Sequence, residues 1–182
     1  MTPRLAAVAA DRAERAPVSE RMPGPVRVRG SPPSVALTVV TMTTIADPQV
    51  REFLEAGTRT GMVGYTAGDG RPLVAPVWFV LDGDELVFNT GKDTAKGRSL
   101  ARDPRIAVSV DLPEPPYAFV QVQGSVTTSE DPDELLTTAT RIGQRYMGRD
   151  RAEEFGRRNG VPGELVVRLR PSKVLAVFDM VA

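Results

Sequence analysis

The spacing of apolar and polar positions changes several times along this chain, and each change marks an element. Beyond Met42, the residues Val50, Phe53 and Leu54 recur at helical spacing. Asp47-Pro48 supplies an N-cap and a proline at the first helical position, and Gly57 is the predicted stop. The period then drops to two. Gly61–Thr66 reads as a strand, Asp69-Gly70 as a hairpin turn, and Pro72–Leu81 as a second strand rich in β-branched and aromatic residues. Asp82-Gly83 makes another tight turn, and Glu85–Thr90 is the third strand. A short basic helix runs to about Arg102 and ends at Asp103-Pro104. Ile106, Val108 and Val110 alternate through a fourth strand, Arg105–Asp111.

Leu112–Pro116 is a proline-rich loop, and Tyr117–Thr127 is a long fifth strand. Val120 and Val122 share one face of it and Gln121 and Gln123 the other. That glutamine face suits plain solvent exposure, and equally a polar wall of a cleft or subunit interface. Gly124 predicts a bulge or a close backbone approach. Asp131 caps an amphipathic helix with Pro132 at its first position, Glu134 at capping-box spacing, and Leu135, Ala139, Ile142 and Tyr146 as its apolar stripe. Residues 150–159 form a charged helical turn or two. Glu164–Arg170 and Lys173–Asp179 read as two last strands, broken at Pro171. Six or seven short strands, mostly antiparallel, with three or four helices, predict a mainly β fold: a small β-barrel with helices packed outside.

Composition narrows the chemistry. The 182 residues suit one domain plus some extra chain. With no Cys and no His, disulfides, thiolate nucleophiles, Ser-His-Asp triads and the usual zinc sites are excluded, and no metal site is expected. The formal net charge of zero is unevenly spread: residues 1–41 hold six Arg against three acids, and residues 42–182 hold 17 basic against 20 acidic residues. A mildly acidic domain argues against a nucleic-acid partner. No apolar run approaches the roughly 20 residues of a membrane span, and Leu5–Ala10 is too short for a signal segment. A cytoplasmic protein without a membrane partner is expected. Residues 1–41 carry six of the 16 prolines and little periodicity. They are expected to be a disordered extension, or to precede a true start at Met42. Residues 42–182 are then the cofactor-binding domain.

The densest chemistry lies at residues 86–105, where a strand runs into the start of a helix. Lys92, Lys96 and Arg98 gather there, including two of only three lysines. Free N–H groups and the positive dipole end make a helix N-terminus a seat for phosphate or carboxylate. Thr94 is placed either to cap the helix or to donate its hydroxyl to the same anion. The opposing view is an ordinary solvated helix face.

Three segments in order, DGRPLVAPVWFVLDGDELVFNT, TAKGRSLARDPRIAVSVD and FVQVQGSV, resemble the pyridoxamine-5′-phosphate-oxidase-like split barrel, and most nearly its actinobacterial branch that uses the deazaflavin coenzyme F420. The resemblance covers roughly residues 45–180, with the A-K-x-R-x-L-x-x-D-P-R pattern at Ala95–Arg105 its strongest element. It implies a six-stranded antiparallel split barrel that forms a homodimer with the cofactor in a cleft at the interface. Lys96 and Arg98 match the positions that hold the cofactor phosphate or phosphodiester, with Thr94 beside them. Relatives often carry a basic residue where this chain has Thr94, and Lys92 stands two residues earlier. Pro76, Val77 and Trp78 match the strand along the tricyclic ring, with Thr90 on the adjacent strand.

The implied function is an F420H2-dependent oxidoreductase that transfers a hydride to an electron-poor small molecule. The alternatives are an FMN-dependent enzyme of the same fold, or a non-catalytic carrier of F420, FMN or haem. Arg102 and Arg105 extend the basic surface toward the polyglutamate tail of F420. The cofactor carries the hydride, so a chain without His or Cys is adequate. No catalytic residue is assigned; Tyr65 and Tyr117 are the candidate proton donors. Trp78 suits either core packing or ring stacking.

Overall fold

The computed structural model describes residues 41–181. Apart from Thr41, the expected extension 1–41 lies outside the described residues. Strand β1 (Thr41–Thr43) leads into helix α1 (Pro48–Glu55), whose N-cap Asp47 accepts from the N–H groups of Gln49 and Val50. The first predicted hairpin forms as β2 (Gly61–Thr66) and β3 (Pro72–Val77), with Gly70 at φ +87° in the turn. The long strand expected over Pro72–Leu81 is divided: the ladder stops after Val77 and resumes as β4 (Val80–Asp82). Then come β5 (Glu85–Gly91), α2 (Ala95–Arg102), β6 (Arg105–Leu112) and β7 (Ala118–Ser129). Helix α3 (Pro132–Met147), one 3-10 turn, α4 (Ala152–Asn159) and β8 (Glu164–Val177) complete the described chain.

All strand pairs are antiparallel, in the order β3-β2-β6-β7-β8-β5-β4, with β1 added to β8. The sheet is open and flanked by helices, as in a split barrel. It has eight strands rather than six, because β1 is added and one expected strand is split in two. The opposite happens at the end of the chain. Pro171 was expected to break the last strand, yet β8 runs through it. Its missing N–H is accommodated at a register shift between Gln123 and Gly124, where Gly124 pairs with Pro171. Gly124 is required there, since a Cβ would stand 2.0 Å from the Arg170 carbonyl oxygen.

One face of the sheet closes over a core that includes Val63, Phe88, Val108, Val120, Val122 and Val167, all fully buried. On the opposite face of β5 and β8, α3 packs Leu135 and Ile142 against Val80, Val87 and Val166. Asp131 caps α3 by accepting from the Glu134 N–H, but the reciprocal half of the expected capping box is not made. The Glu134 carboxylate instead accepts from Arg168 Nε at 2.7 Å, and Arg168 also reaches Asp82 at 2.7 Å. Those bonds tie α3 to β8 and β4, and they hold the carboxyl of Asp82 below its ordinary range.

Candidate functional site

The break between β3 and β4 creates the site. Where the ladder stops, Trp78 leaves the sheet and stacks on Tyr146 of α3, with ring centroids 4.9 Å apart and planes 5° apart. Phe155 of α4 closes the group at 6.1 Å from Trp78. The turn is secured from α3. Tyr146 donates its hydroxyl to the Arg59 carbonyl at 2.7 Å and accepts from the Phe79 N–H at 3.2 Å. Arg145 donates to the carbonyls of Leu54, Phe79 and Gly57 at 2.6, 2.9 and 3.1 Å. Burial pushes the Tyr146 phenol up and the Arg145 guanidinium down from their ordinary values. The Trp78 indole remains 37% exposed. Packing and availability to a ligand thus coexist in one residue.

Beside this stack lies a cleft of about 510 Å³ between the sheet, α2, α3 and α4. Pro76, Val77, Trp78 and Lys96 line it, as the resemblance implies, together with Asn89 and Glu164. Its size suits a cofactor ring system, since ligand clefts run from roughly 300 to 1,000 Å³.

Strand pleating decides which residue of β5 faces the cleft. Thr90 was expected there. It is instead buried on the core side with Phe88, its Oγ1 3.5 Å from Thr94 Oγ1. Neighbouring residues of a strand point to opposite faces, so Asn89 takes the cleft side. Both polar atoms of the Asn89 amide are buried without a hydrogen-bond partner. Such groups are rare because each costs about 1–3 kcal/mol. A ligand group in the cleft would satisfy them. No periodicity or motif singled out Asn89; counting alternate positions back from the β5–α2 junction was the only available signal.

The basic cluster also sorts itself. Thr94 is the N-cap of α2: its hydroxyl accepts from the Gly97 N–H at 3.0 Å and donates to the Gly91 carbonyl at 2.7 Å. It caps rather than reaching toward an anion. Lys92 is held 3.0 Å from Glu130, outside the cleft lining. Arg98 donates to the Asp93 carbonyl, and Arg102 to that of Arg98 at 3.0 Å. Arg105 grips Asp103 through two bonds of 2.8 Å, which holds the Asp103 carboxyl down to about 2. Among the cations of this cluster Lys96 is the one that lines the cleft; its ammonium lies 5.7 Å from the Phe88 ring centroid, half-buried, and desolvation lowers its pKa.

Glu164 faces it from β8. Burial raises this carboxyl while the charge on Lys96 pulls it back. Glu164 lines the cleft, whereas Tyr65 packs against the core and neither it nor Tyr117 lines the cleft. Among the described residues no group of three His, Cys, Asp or Glu side chains is arranged to hold a metal. No helix among them is long and apolar enough to cross a membrane.

An open antiparallel sheet flanked by helices, with a cleft beside a strand break, is the architecture of a split barrel. The pyridoxamine 5′-phosphate oxidase family model matches residues 46–178, and the chain belongs to that family. No curated protein matches the sequence. A conserved hypothetical protein from Mycobacterium tuberculosis shares the fold at TM-score 0.65 and 19% identity, over 76% of this chain and 86% of that one. An F420 reductase aligns at TM-score 0.54 and 25% identity, over 68% and 94%. A heme binding protein from Mycobacterium smegmatis aligns at TM-score 0.57 and 22% identity, over 72% and 55%.

Proposed function

We propose that this protein is an F420H2-dependent oxidoreductase that reduces an electron-poor small molecule. The observation that carries this reading is the pairing of the unpartnered Asn89 amide with the lone cleft ammonium of Lys96. One offers a donor and an acceptor to a polar ring edge, and the other a charge for a phosphodiester. Trp78, held flat against Tyr146, offers an aromatic wall to the ring. Reduced deazaflavin supplies the hydride when bound, which leaves the protein to bind, orient and exclude water. The similarity to an F420 reductase supports the cofactor class.

Haem suits the site poorly. Its iron is usually held by His, Cys, Met or Tyr, and none of these lines the cleft among the described residues. FMN is the competing cofactor. The expected basic track for a polyglutamate tail has little support, because Arg102 and Arg105 are engaged by their own neighbours.

The active form is proposed to be a homodimer. Cross-strand register puts Pro76, Met62, Ser109, Gln121, Leu175 and Met42 in one row on the sheet face opposite the core. Val74 and Gln123 lie in the adjacent row. Met42, Met62 and Val74 are 62%, 39% and 66% exposed, a pattern that suits coverage by a second copy. Met62→Asp is expected to shift the sedimentation coefficient toward that of a monomer.

The test of function titrates the full chain with F420 and FMN separately, following Trp78 and cofactor fluorescence. Micromolar or tighter F420 binding, weak FMN binding, and a steep loss in the Lys96→Ala/Arg98→Ala double variant are the expected results. Tight FMN binding would move the protein to the flavin-dependent enzymes of this fold. Unchanged affinity in the double variant would refute the site.

A further inference from the structure

Among the described residues the cleft is lined by one cation, Lys96, and one acid, Glu164. Gly91 and Glu164 are register partners at the adjoining ends of β5 and β8. Pleating sends both to the cleft side of the sheet, the side of Asn89 and Val166. The Glu164 carboxylate therefore sits over the last turn of chain before α2: a Cβ built on Gly91 would stand 3.3 Å from Glu164 Oε1 and 3.1 Å from Thr94 Cγ2. This is the entrance to the α2 N-terminus, where an anion would be held. The orphan Asn89 amide nearby independently marks the cleft as a ligand site. Glu164 does not close an ion pair with Lys96, yet each shifts the other's proton affinity. The neighbouring cations do not compensate, being held by Glu130, Asp103 and backbone carbonyls.

We propose that Glu164 is a specificity-determining residue that limits the negative charge the cleft accepts, favouring a singly charged phosphodiester over a doubly charged phosphate monoester. Lys96 and Glu164 together bring the side-chain charge of the cleft near zero. A phosphodiester carries one negative charge, and the helix N-terminus and Lys96 offset it. The terminal phosphate of FMN carries nearly two charges above pH 7. The second charge meets the carboxylate without a matching cation. This deepens the functional reading given above, and rests on that cleft being the seat of a phosphate-bearing cofactor.

Glu164→Gln keeps the side chain's shape and removes its charge. The test compares the full-length wild type and variant at pH 8, with FMN, riboflavin and F420 as probes and equilibrium dialysis as the readout. The variant is expected to bind FMN about tenfold more tightly and F420, whose phosphodiester carries one charge and whose tail carboxylates stand further along the molecule from the ring, about threefold more tightly, with riboflavin, which lacks the phosphate, unchanged. Equal FMN affinity in both forms, FMN bound by neither form, or an equal gain for riboflavin overturns the proposal. Glu164→Ala, which also removes the charge, must reproduce the FMN gain. If wild type binds no F420 but the FMN gain appears, the charge limit stands and the F420 reading falls. If F420 binds and the FMN gain is missing, the reverse holds.

Discussion

The Trp78 indole and the Tyr146 phenol lie parallel, 4.9 Å between centroids, and join the strand break to the third helix. Tyr146 explains why an aromatic run that reads as continuous strand is interrupted. Val77, Phe79 and Leu81 face the core, so alternation puts Trp78 on the side of Val80, which packs against α3. Trp78 stacks there, and the break lets the Phe79 N–H bond to the Tyr146 hydroxyl instead of to a strand.

Tyr146→Phe retains the ring and removes both hydroxyl bonds, leaving the Phe79 N–H and Arg59 carbonyl short of a partner. A loss of about 1–3 kcal/mol is expected by urea unfolding. The folded-state emission maximum of Trp78 should hardly move, because the stack remains. Tyr146→Ala should both destabilise the protein and shift that emission.

Lys96 and Lys92 are four residues apart and should behave differently. Lys96→Ala removes the cleft's cation and is expected to cost about 1.5–3 kcal/mol of cofactor binding, roughly ten- to a hundredfold or more in Kd. Lys92→Ala breaks only an exposed pair with Glu130 and should leave Kd within about threefold. Parallel fluorescence titrations of the two variants check this.

Gly124 meets the Arg170 carbonyl where β7 and β8 shift register. In Gly124→Ala the strands must part, and the neighbour is backbone, which has no rotamer to change. A destabilisation of roughly 1–3 kcal/mol or more is expected. Thermal unfolding is the measurement; a Tm within a degree of wild type would contradict the observed close approach.

Asp82 is held below its ordinary value of 3.8 chiefly by Arg168. Glu134 is held below 4.5 by Ser129 first and Arg168 second. A lowered carboxyl pKa contributes stability that is complete above the ordinary value and is lost as pH falls through the folded one. The urea midpoint should therefore be flat with respect to these groups near neutrality and fall below about pH 4.5. Arg168→Met should be less stable at pH 7 and lose less on acidification.

Much of the fold was legible because local signals do not depend on distant partners. Asp47, Asp131, Asp69-Gly70 and Asp82-Gly83 act within a few residues, so caps and turns stand where their chemistry puts them. The departures have non-local causes. Pro171 reads as a strand breaker until β7 supplies a register shift opposite it. Pro72–Leu81 reads as one strand until Tyr146 and Arg145 offer its backbone other partners.

The site divides in the same way. From its sequence alone, this chain determined its strand and helix periods, its family motif, and a cluster of cations at a helix start, without His or Cys to suggest other chemistry. Tertiary structure alone decided that Asn89 rather than Thr90 faces the cleft, that Lys96 is the cation left in it, and that Glu164, far along the chain, stands opposite. The reason is physical. Which side of a strand faces a cleft is settled by pairing and packing, and a charge is available only if no partner from elsewhere in the chain has already taken it.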